Sequence, residues 1–213
     1  GGADIIAAGG GSDRVAYRGG EISIDGGAGN NTLIIDAGTT IGSVNLGAGI
    51  GVDQTLGDTV EVTNFSNLDA HLATTTITVI GSSSTNELTT GSGNDVIHGG
   101  GGADIIAAGG GNDAVDFWGS EAAVDGGTGT NTLVLKASVT IDLSAIDQSL
   151  ADLADVTHFT HVDASAVSTG VTVTGSSDAN TLTGGSGADL IDGNGGADTI
   201  QGGAGNDSIA FRG

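Results

Sequence analysis

The side chains of this chain that can do chemistry are carboxylates, and they are evenly spaced. Asp95, Asp104 and Asp113 stand nine residues apart, as do Asp189, Asp198 and Asp207, and Asn86, Asn131 and Asn180 extend the same rows. Glycine-rich runs precede them, as in Gly91-Ser92-Gly93-Asn94-Asp95 and Gly202-Gly203-Ala204-Gly205-Asn206-Asp207. Two residues after each acid comes an aliphatic: Ile97, Ile106, Val115, Ile191, Ile200, Ile209. Carboxylates can act as an acid/base pair, but that requires two carboxyls in unlike surroundings within one cleft. A row of equivalent acids offers instead a series of hard oxygen ligands, and no catalytic site is expected. His71, His98, His158 and His161 are scattered and read as surface residues. The glycine runs are not phosphate cradles, because no Lys follows them and the charge of −22 repels an anion.

Composition narrows the classes further. The 213 residues include 42 Gly, 26 acids and 4 bases, with no Pro, Cys or Met. Nucleic acid wants a basic surface, so it is not an expected partner. No apolar run is long enough to span a membrane, no amino-terminal signal-peptide pattern is visible, and disulfides and Cys-based metal sites are impossible. High charge and few aromatics favour disorder, but 37% of the residues are hydrophobic and fall in phase. A thin, elongated core of aliphatic rows fits that pattern, and repeat proteins build such cores.

The chain repeats on two scales. Residues 1–9, GGADIIAAG, recur unchanged at 101–109, and the likeness continues at an offset of 100 through Ile24–Leu33 and Val124–Leu133. Farther on, Asn64–Ala70 matches His158–Ala164 at an offset of 94, which places a six-residue deletion between about 140 and 158. Phe211-Arg212-Gly213 corresponds to Tyr17-Arg18-Gly19, so the chain starts and stops inside the pattern and reads as a slice of a longer array. Tyr17, Phe117 and Phe211 are equivalent and are expected to pack at the end of a block. The short repeat is nine residues: a turn of Gly, Asn and Asp, which tolerate positive φ, and a short strand around one aliphatic. Two repeats make an eighteen-residue coil, and coils stacked about 4.7–4.9 Å apart pair their strands. The absence of Pro suits strands that must all donate to a ladder.

Stacking places Asp95 over Asp113 and Asp189 over Asp207, where like charges repel. A hard dication resolves the conflict: calcium takes six to eight oxygens from carboxylates and carbonyls alike. Residues 202–210, Gly-Gly-Ala-Gly-Asn-Asp-Ser-Ile-Ala, fill every fixed position of G-G-x-G-x-D-x-U-x. At residues 1–33, 81–134 and 175–213 the chain resembles the RTX (hemolysin-type calcium-binding) family. That resemblance implies an all-β, right-handed parallel β-roll or β-solenoid, in which each ion sits between turns eighteen residues apart. The first turn would supply its second and fourth carbonyls and its acid, the second turn its first and third carbonyls and its acid. Carried over, the sites are Gly91, Gly93 and Asp95 with Ala108, Gly110 and Asp113; and Gly185, Gly187 and Asp189 with Gly202, Ala204 and Asp207. Four more contain Asn and are expected to be weaker. They are Ser82, Ser84 and Asn86 with Gly99, Gly101 and Asp104; Ser176, Asp178 and Asn180 with Gly193, Gly195 and Asp198; Gly9, Gly11 and Asp13 with Gly26, Ala28 and Asn31; and Gly109, Gly111 and Asp113 with Gly126, Thr128 and Asn131. Filling roughly six sites would leave a charge of about −10. Ile22 and Ala122 break the acid row, with Glu21 and Glu121 one residue earlier as substitutes.

The expected organisation is a calcium-binding block at 1–35, an ion-poor solenoid insert at 36–80, a block at 81–134, an insert at 135–174 and a block at 175–213 that starts a third unit. The inserts alternate β-branched and polar residues, as in Thr76-Ile77-Thr78-Val79 and Val171-Thr172-Val173-Thr174, and should continue the solenoid in wider coils. Residues Asp147–Asp155 are open to a second reading, as a short helical or looped excursion. The resemblance implies a secreted, extracellular or cell-surface protein exported by type I secretion and folding on external calcium. Two functions compete: a calcium-stabilised structural segment of a bacterial filament, surface layer or adhesin stalk that associates with itself and contacts a cell surface or polysaccharide; or a secretion and folding module of a larger toxin or hydrolase.

Overall fold

A computed structural model describes residues 2–150 and 152–212. Gly1, Ala151 and Gly213, which belong to the repeated first segment, to the 147–155 stretch and to the Phe211–Gly213 match, lie outside the described residues. The described chain contains no helix and 24 short strands. In the glycine-rich blocks the strands pair in parallel with the partner eighteen residues away: Leu88 with Ile106, Ile97 with Val115, Ile191 with Ile209. The aliphatic at the centre of each strand points inward, and Leu88, Ile97, Ile106, Val115, Val124 and Leu133 are buried in one continuous core.

The turns depend on backbone that only glycine supplies cheaply. Gly111 has φ +125, and a Cβ there would collide with the Gly93 carbonyl of the coil below. Positive φ and close stacking are thus required of the same residue.

The solenoid passes through both inserts without a break, in wider coils as the alternation predicts. What the alternation does not reveal is that these coils have three strands. Ile24, Leu33 and Val44 lie in three different sheets, and Val62, Leu68 and Val79 stack directly on them. The second insert repeats the arrangement with Val124, Leu133 and Ile141 under Val156, Val162 and Val173. Each insert ends one sheet and starts another. The three-stranded sheet finishes at Glu61–Thr63 as the nine-stranded sheet begins at Ser43–Asn45. The seven-stranded sheet finishes at Asp155–Thr157 as the five-stranded sheet begins at Thr140–Asp142. The two-stranded roll therefore moves to a new pair of sides at each insert.

Two details refine the sequence reading. Of the helical and looped alternatives for 147–155, the described residues there hold no helix: Ser149–Leu150 pairs antiparallel with Thr140–Asp142, forming the return arm of a hairpin, and Thr55–Leu56 does the same on Ser43–Asn45. These are the antiparallel pairs among otherwise parallel strands. The six-residue deletion is split in two. Val44 and Ile141 hold equivalent pairings, so the offset has already fallen from 100 to 97 before Ile141. It falls to 94 within the hairpin, before Gln148. The early loss was invisible because it lies between strands that share only β-branched character.

Tyr17 and Phe117 are buried, but within their blocks and not at the ends, whereas Phe211 is 73% exposed. Replacing Gly111 by Ala should destabilise the calcium-bound protein by about 2 kcal/mol or more, through strained φ and the lost close approach. Thermal unfolding in saturating calcium checks this; an unchanged midpoint would contradict the turn geometry.

Candidate metal centre

The acid rows occupy the interior of the turns. Asp95, Asp104, Asp113 and Asp189 are at most 2% exposed. Each places one carboxylate oxygen on a backbone N–H of the coil below. The Asp95 N–H donates to Asp113 Oδ1 at 2.8 Å, the Ile77 N–H to Asp95 Oδ1 at 2.8 Å, and the Asn86 N–H to Asp104 Oδ1 at 2.8 Å. Asn180 donates likewise to Asp198 at 3.0 Å, and Asp189 to Asp207 at 3.0 Å. The spacing pointed to stacked acids; this backbone donor between them carries no residue-type signal and was missed.

The second oxygen is the informative one. Oδ2 of Asp13, Asp95, Asp104 and Asp113 is buried and has no hydrogen-bond partner. A buried charged group left so costs several kcal/mol. Burial pushes the carboxyls of Asp104 and Asp113 up to about 6, and raises that of Asp95 as well. The interior as it stands disfavours the charge that these residues carry at neutral pH.

The carbonyls around them have two roles. The second carbonyl of each lower turn accepts from the third N–H of the turn above. Gly91 O takes Gly110 N at 2.7 Å and Gly185 O takes Ala204 N at 2.9 Å. Ser82, Ser176, Gly9 and Gly109 carbonyls take Gly101, Gly195, Ala28 and Thr128 in the same way. A carbonyl has two lone pairs, so each can hold the stack and still face a cation. Among the described residues no cluster of three His, Cys, Asp or Glu side chains could hold a metal ion. A site here takes two carboxylates at most and draws its remaining ligands from the main chain. That all-oxygen donor set fits calcium, and it does not fit zinc or copper. In the turns of Asp13, Asp95, Asp104 and Asp113 a calcium ion would supply the positive charge that the orphaned Oδ2 atoms lack.

Asn changes the balance in two ways. At Asn31 and Asn131 the amide is self-sufficient. Oδ1 accepts from Asp13 N or Asp113 N at 3.0 Å. The Asn131 Nδ2 donates to Gly126 O at 2.7 Å and His158 O at 3.0 Å, and the Asn31 Nδ2 donates to Asn64 O at 3.1 Å. Gly11 N and Gly111 N also donate to Ala28 O and Thr128 O at 2.9 Å. Several of the oxygens assigned to an ion there already have N–H donors. At Asn86 and Asn180 the amide instead reaches back into the insert, donating to Ser66 O at 2.6 Å and Thr160 O at 2.9 Å. Asp104 and Asp198 keep their carboxylates above them.

Segments 1–21, 23–39, 80–115 and 174–209 match the RTX calcium-binding nonapeptide repeat, four copies that cover just over half of the chain. The chain belongs to the RTX calcium-binding repeat family. In the middle block the match stops at 115, short of the turns whose acid positions carry Ala122 and Asn131. No curated protein matches the chain. As an RTX chain it is a calcium-binding repeat module, of a family whose members are typically secreted. No helix among the described residues is long and apolar enough to cross a membrane.

Sequence reasoning missed one pair of buried polar residues. Gln54 and Gln148 each clamp a Phe backbone from both sides. Nε2 donates to Phe65 O or Phe159 O at 2.7 and 2.8 Å, while Oε1 accepts from the same residue's N–H at 2.7 and 2.8 Å. The recurrence of Asp-Gln at an offset of 94 was the available signal.

Two predictions follow from the orphaned oxygens. Asp113→Asn removes an uncompensated charge, so it should raise the melting temperature in chelator and lower it in saturating calcium, by the equivalent of about 1–3 kcal/mol each way. Asp142→Asn, whose carboxylate only holds the Ser144 turn, should shift the calcium-bound midpoint less. The same sign in both conditions for Asp113→Asn would contradict the ion-bridge geometry. The second concerns pH. With folded carboxyls near 6 and unfolded ones near 4, the folded chain binds more protons, so ion-free stability falls as pH rises through that window. In chelator, melting midpoints should rise from about pH 7 to about pH 5, and in calcium they should fall as protons compete with the ion.

Proposed function

We propose that this chain is a structural segment of a secreted bacterial surface protein, a calcium-stiffened rod of tandem units used in a filament, surface layer or adhesin stalk, and that it is not an enzyme. The observation that carries this reading is the continuity of the ladders. The seven-stranded and nine-stranded sheets run from the first unit into the second across blocks and inserts. A module that only aids export and folding of a catalytic domain has no need of inserts built to carry the solenoid onward. External calcium at millimolar levels binds folded coils and stabilises them by linkage. On this reading the chain folds outside the cell.

Partners on this reading are further copies of the same rod and a cell surface or polysaccharide. Sedimentation velocity and electron microscopy test the proposal. In millimolar calcium the chain should sediment as an elongated particle and associate into filaments or sheets as concentration rises. Chelator should reverse both. Compact particles that stay monomeric at high concentration in calcium would sink it, and would favour the export-module alternative.

A further inference from the structure

The turn that follows Ala114–Phe117 opens onto a cavity outside the acid rows. Its volume is about 400 Å³, and it lies between Trp118, the insert strands at Thr140 and Thr172, and the hairpin arm at Leu150 and Asp152. The wall is mixed in character. Trp118, 49% exposed, contributes an indole. Ser138, Thr140 and Thr172 contribute hydroxyls, the two threonines as paired neighbours on adjacent strands. Ser138 donates to Gly170 O, which leaves its own lone pairs free. The indole is carried on a fixed turn. Glu121, one residue ahead of the acid position that Ala122 occupies, accepts from Trp118 N at 3.1 and 3.2 Å and from Ser120 N at 3.0 Å.

Asp152 is the unfinished member of this wall. Its Oδ1 accepts from the Ser149 hydroxyl and the Ala154 N–H, both at 3.0 Å, whereas Oδ2 is buried without a partner. The first unit shows what is missing. Asp58, the equivalent residue at an offset of 94, accepts from Val60 N at 2.8 Å in the same way. Asp58 also faces the Tyr17 hydroxyl: burial, then the charge and hydrogen bond of Asp58, push that hydroxyl up to about 12. The second unit has Phe117 in that place, so no ring hydroxyl is there to meet Asp152. Trp118 stands where the first unit has Arg18, whose guanidinium is drawn off to Asp36 at 2.6 Å. Ser138 stands where it has Gly38.

The first unit thus satisfies its carboxylate from within, and the second wants a donor from outside. A chain of charge −22 repels anions, and a small cation would leave the indole and the three hydroxyls unused. A pyranose ring uses all of them. Its C–H face is apolar and packs on an indole, while its hydroxyls donate to a carboxylate and accept from Ser and Thr. The bond to the carboxylate is charge-assisted. Oδ2 is closed to water, so the Asp152 side chain meets such a hydroxyl by turning about χ2, a soft torsion for Asp. We propose that the cavity between Trp118 and Asp152 is a subsite for one neutral hexose unit of a glycan. The subsite deepens the polysaccharide contact of the function proposed above and rests on that reading.

Trp118 is the only tryptophan of the chain, so its fluorescence reports on this cavity. The full chain in saturating calcium is titrated with cellopentaose, maltopentaose and mannopentaose, and with polygalacturonate as the acidic comparison. At least one neutral glycan should change the emission saturably, with half-saturation at about millimolar or below. Asp152→Asn should weaken that binding about tenfold or more. Phe117→Tyr, which restores the first unit's internal donor, should weaken it as well, and both variants should keep the calcium-bound β signal in circular dichroism. No saturable response to any of the three, a response to polygalacturonate alone, or unchanged affinity in both variants would each overturn the subsite. If either variant does not fold in calcium, Trp118→Arg decides by titration calorimetry, because it sets the first unit's residue at an exposed position. Lost heat of glycan binding supports the subsite, and retained heat overturns it. Filaments that form in calcium without glycan binding would overturn the subsite and leave the rod reading standing. Glycan binding by a chain that stays monomeric would do the reverse.

Discussion

The structure depends on what happens to the second oxygen of each stacked carboxylate. The first oxygen is held by a backbone N–H from the neighbouring coil, which fixes the side chain inside the turn. In Asp95, Asp104 and Asp113 the second is then buried without a hydrogen-bond partner, whereas Asp189 rests its own on the Gly185 N–H. Elementary electrostatics admits two remedies, a proton or a cation. The core is thin, one aliphatic per nine residues, so it cannot absorb several unpaired buried charges. That is why a hard dication belongs to the folding of the roll as well as to its use.

The inserts solve the same problem with different chemistry. Where the acid rows stop, buried amides take their place. Asn31, Asn131, Gln54 and Gln148 each carry a donor and an acceptor, and the structure uses both. A neutral amide satisfies main-chain N–H and C=O groups without an ion. The third strand of each insert coil adds core as well, with Ile41, Leu46, Val60, Phe65 and Ile77 buried in the first unit. Each unit therefore joins a segment of stacked acids to one bonded largely through neutral amides, where Asn45 Oδ1 and Asp152 Oδ2 are buried without a partner.

Periodicity made the first kind of segment legible and hid the second. A nine-residue phase shared by Gly, Asp and an aliphatic specifies turn, ligand and core position at once, so the pairing of Ile97 with Val115 could be read from letters. In the inserts the rows break, and Ile24 pairs with Val62 across a hairpin of irregular length. Alternation there announces strand but carries no register, so the number of strands per coil could not be read. The acid-to-backbone bonds were hidden for another reason: any residue can supply an N–H. Glu121 was visible only as an acid out of phase, and its extra methylene acquires meaning once the turn is folded around it.

The three-strand inserts also determine how successive units face. Arg14–Tyr17 lies in the seven-stranded sheet, while its equivalent Ala114–Phe117 lies in the nine-stranded one. Ser43–Asn45 opens the nine-stranded sheet, and its equivalent Thr140–Asp142 opens the five-stranded one. Each unit is thus displaced by one side of a three-sided coil, and its hairpin arm moves with it. The exposed apolar residues on those arms, Ile50 and Val52 in one unit and Ile146 and Leu153 in the next, lie on arms attached to different sheets. A projection that moves to a new side with every unit presents its apolar residues in a different direction each time, because a three-strand coil inserted into a two-strand roll necessarily ends one sheet and opens the next.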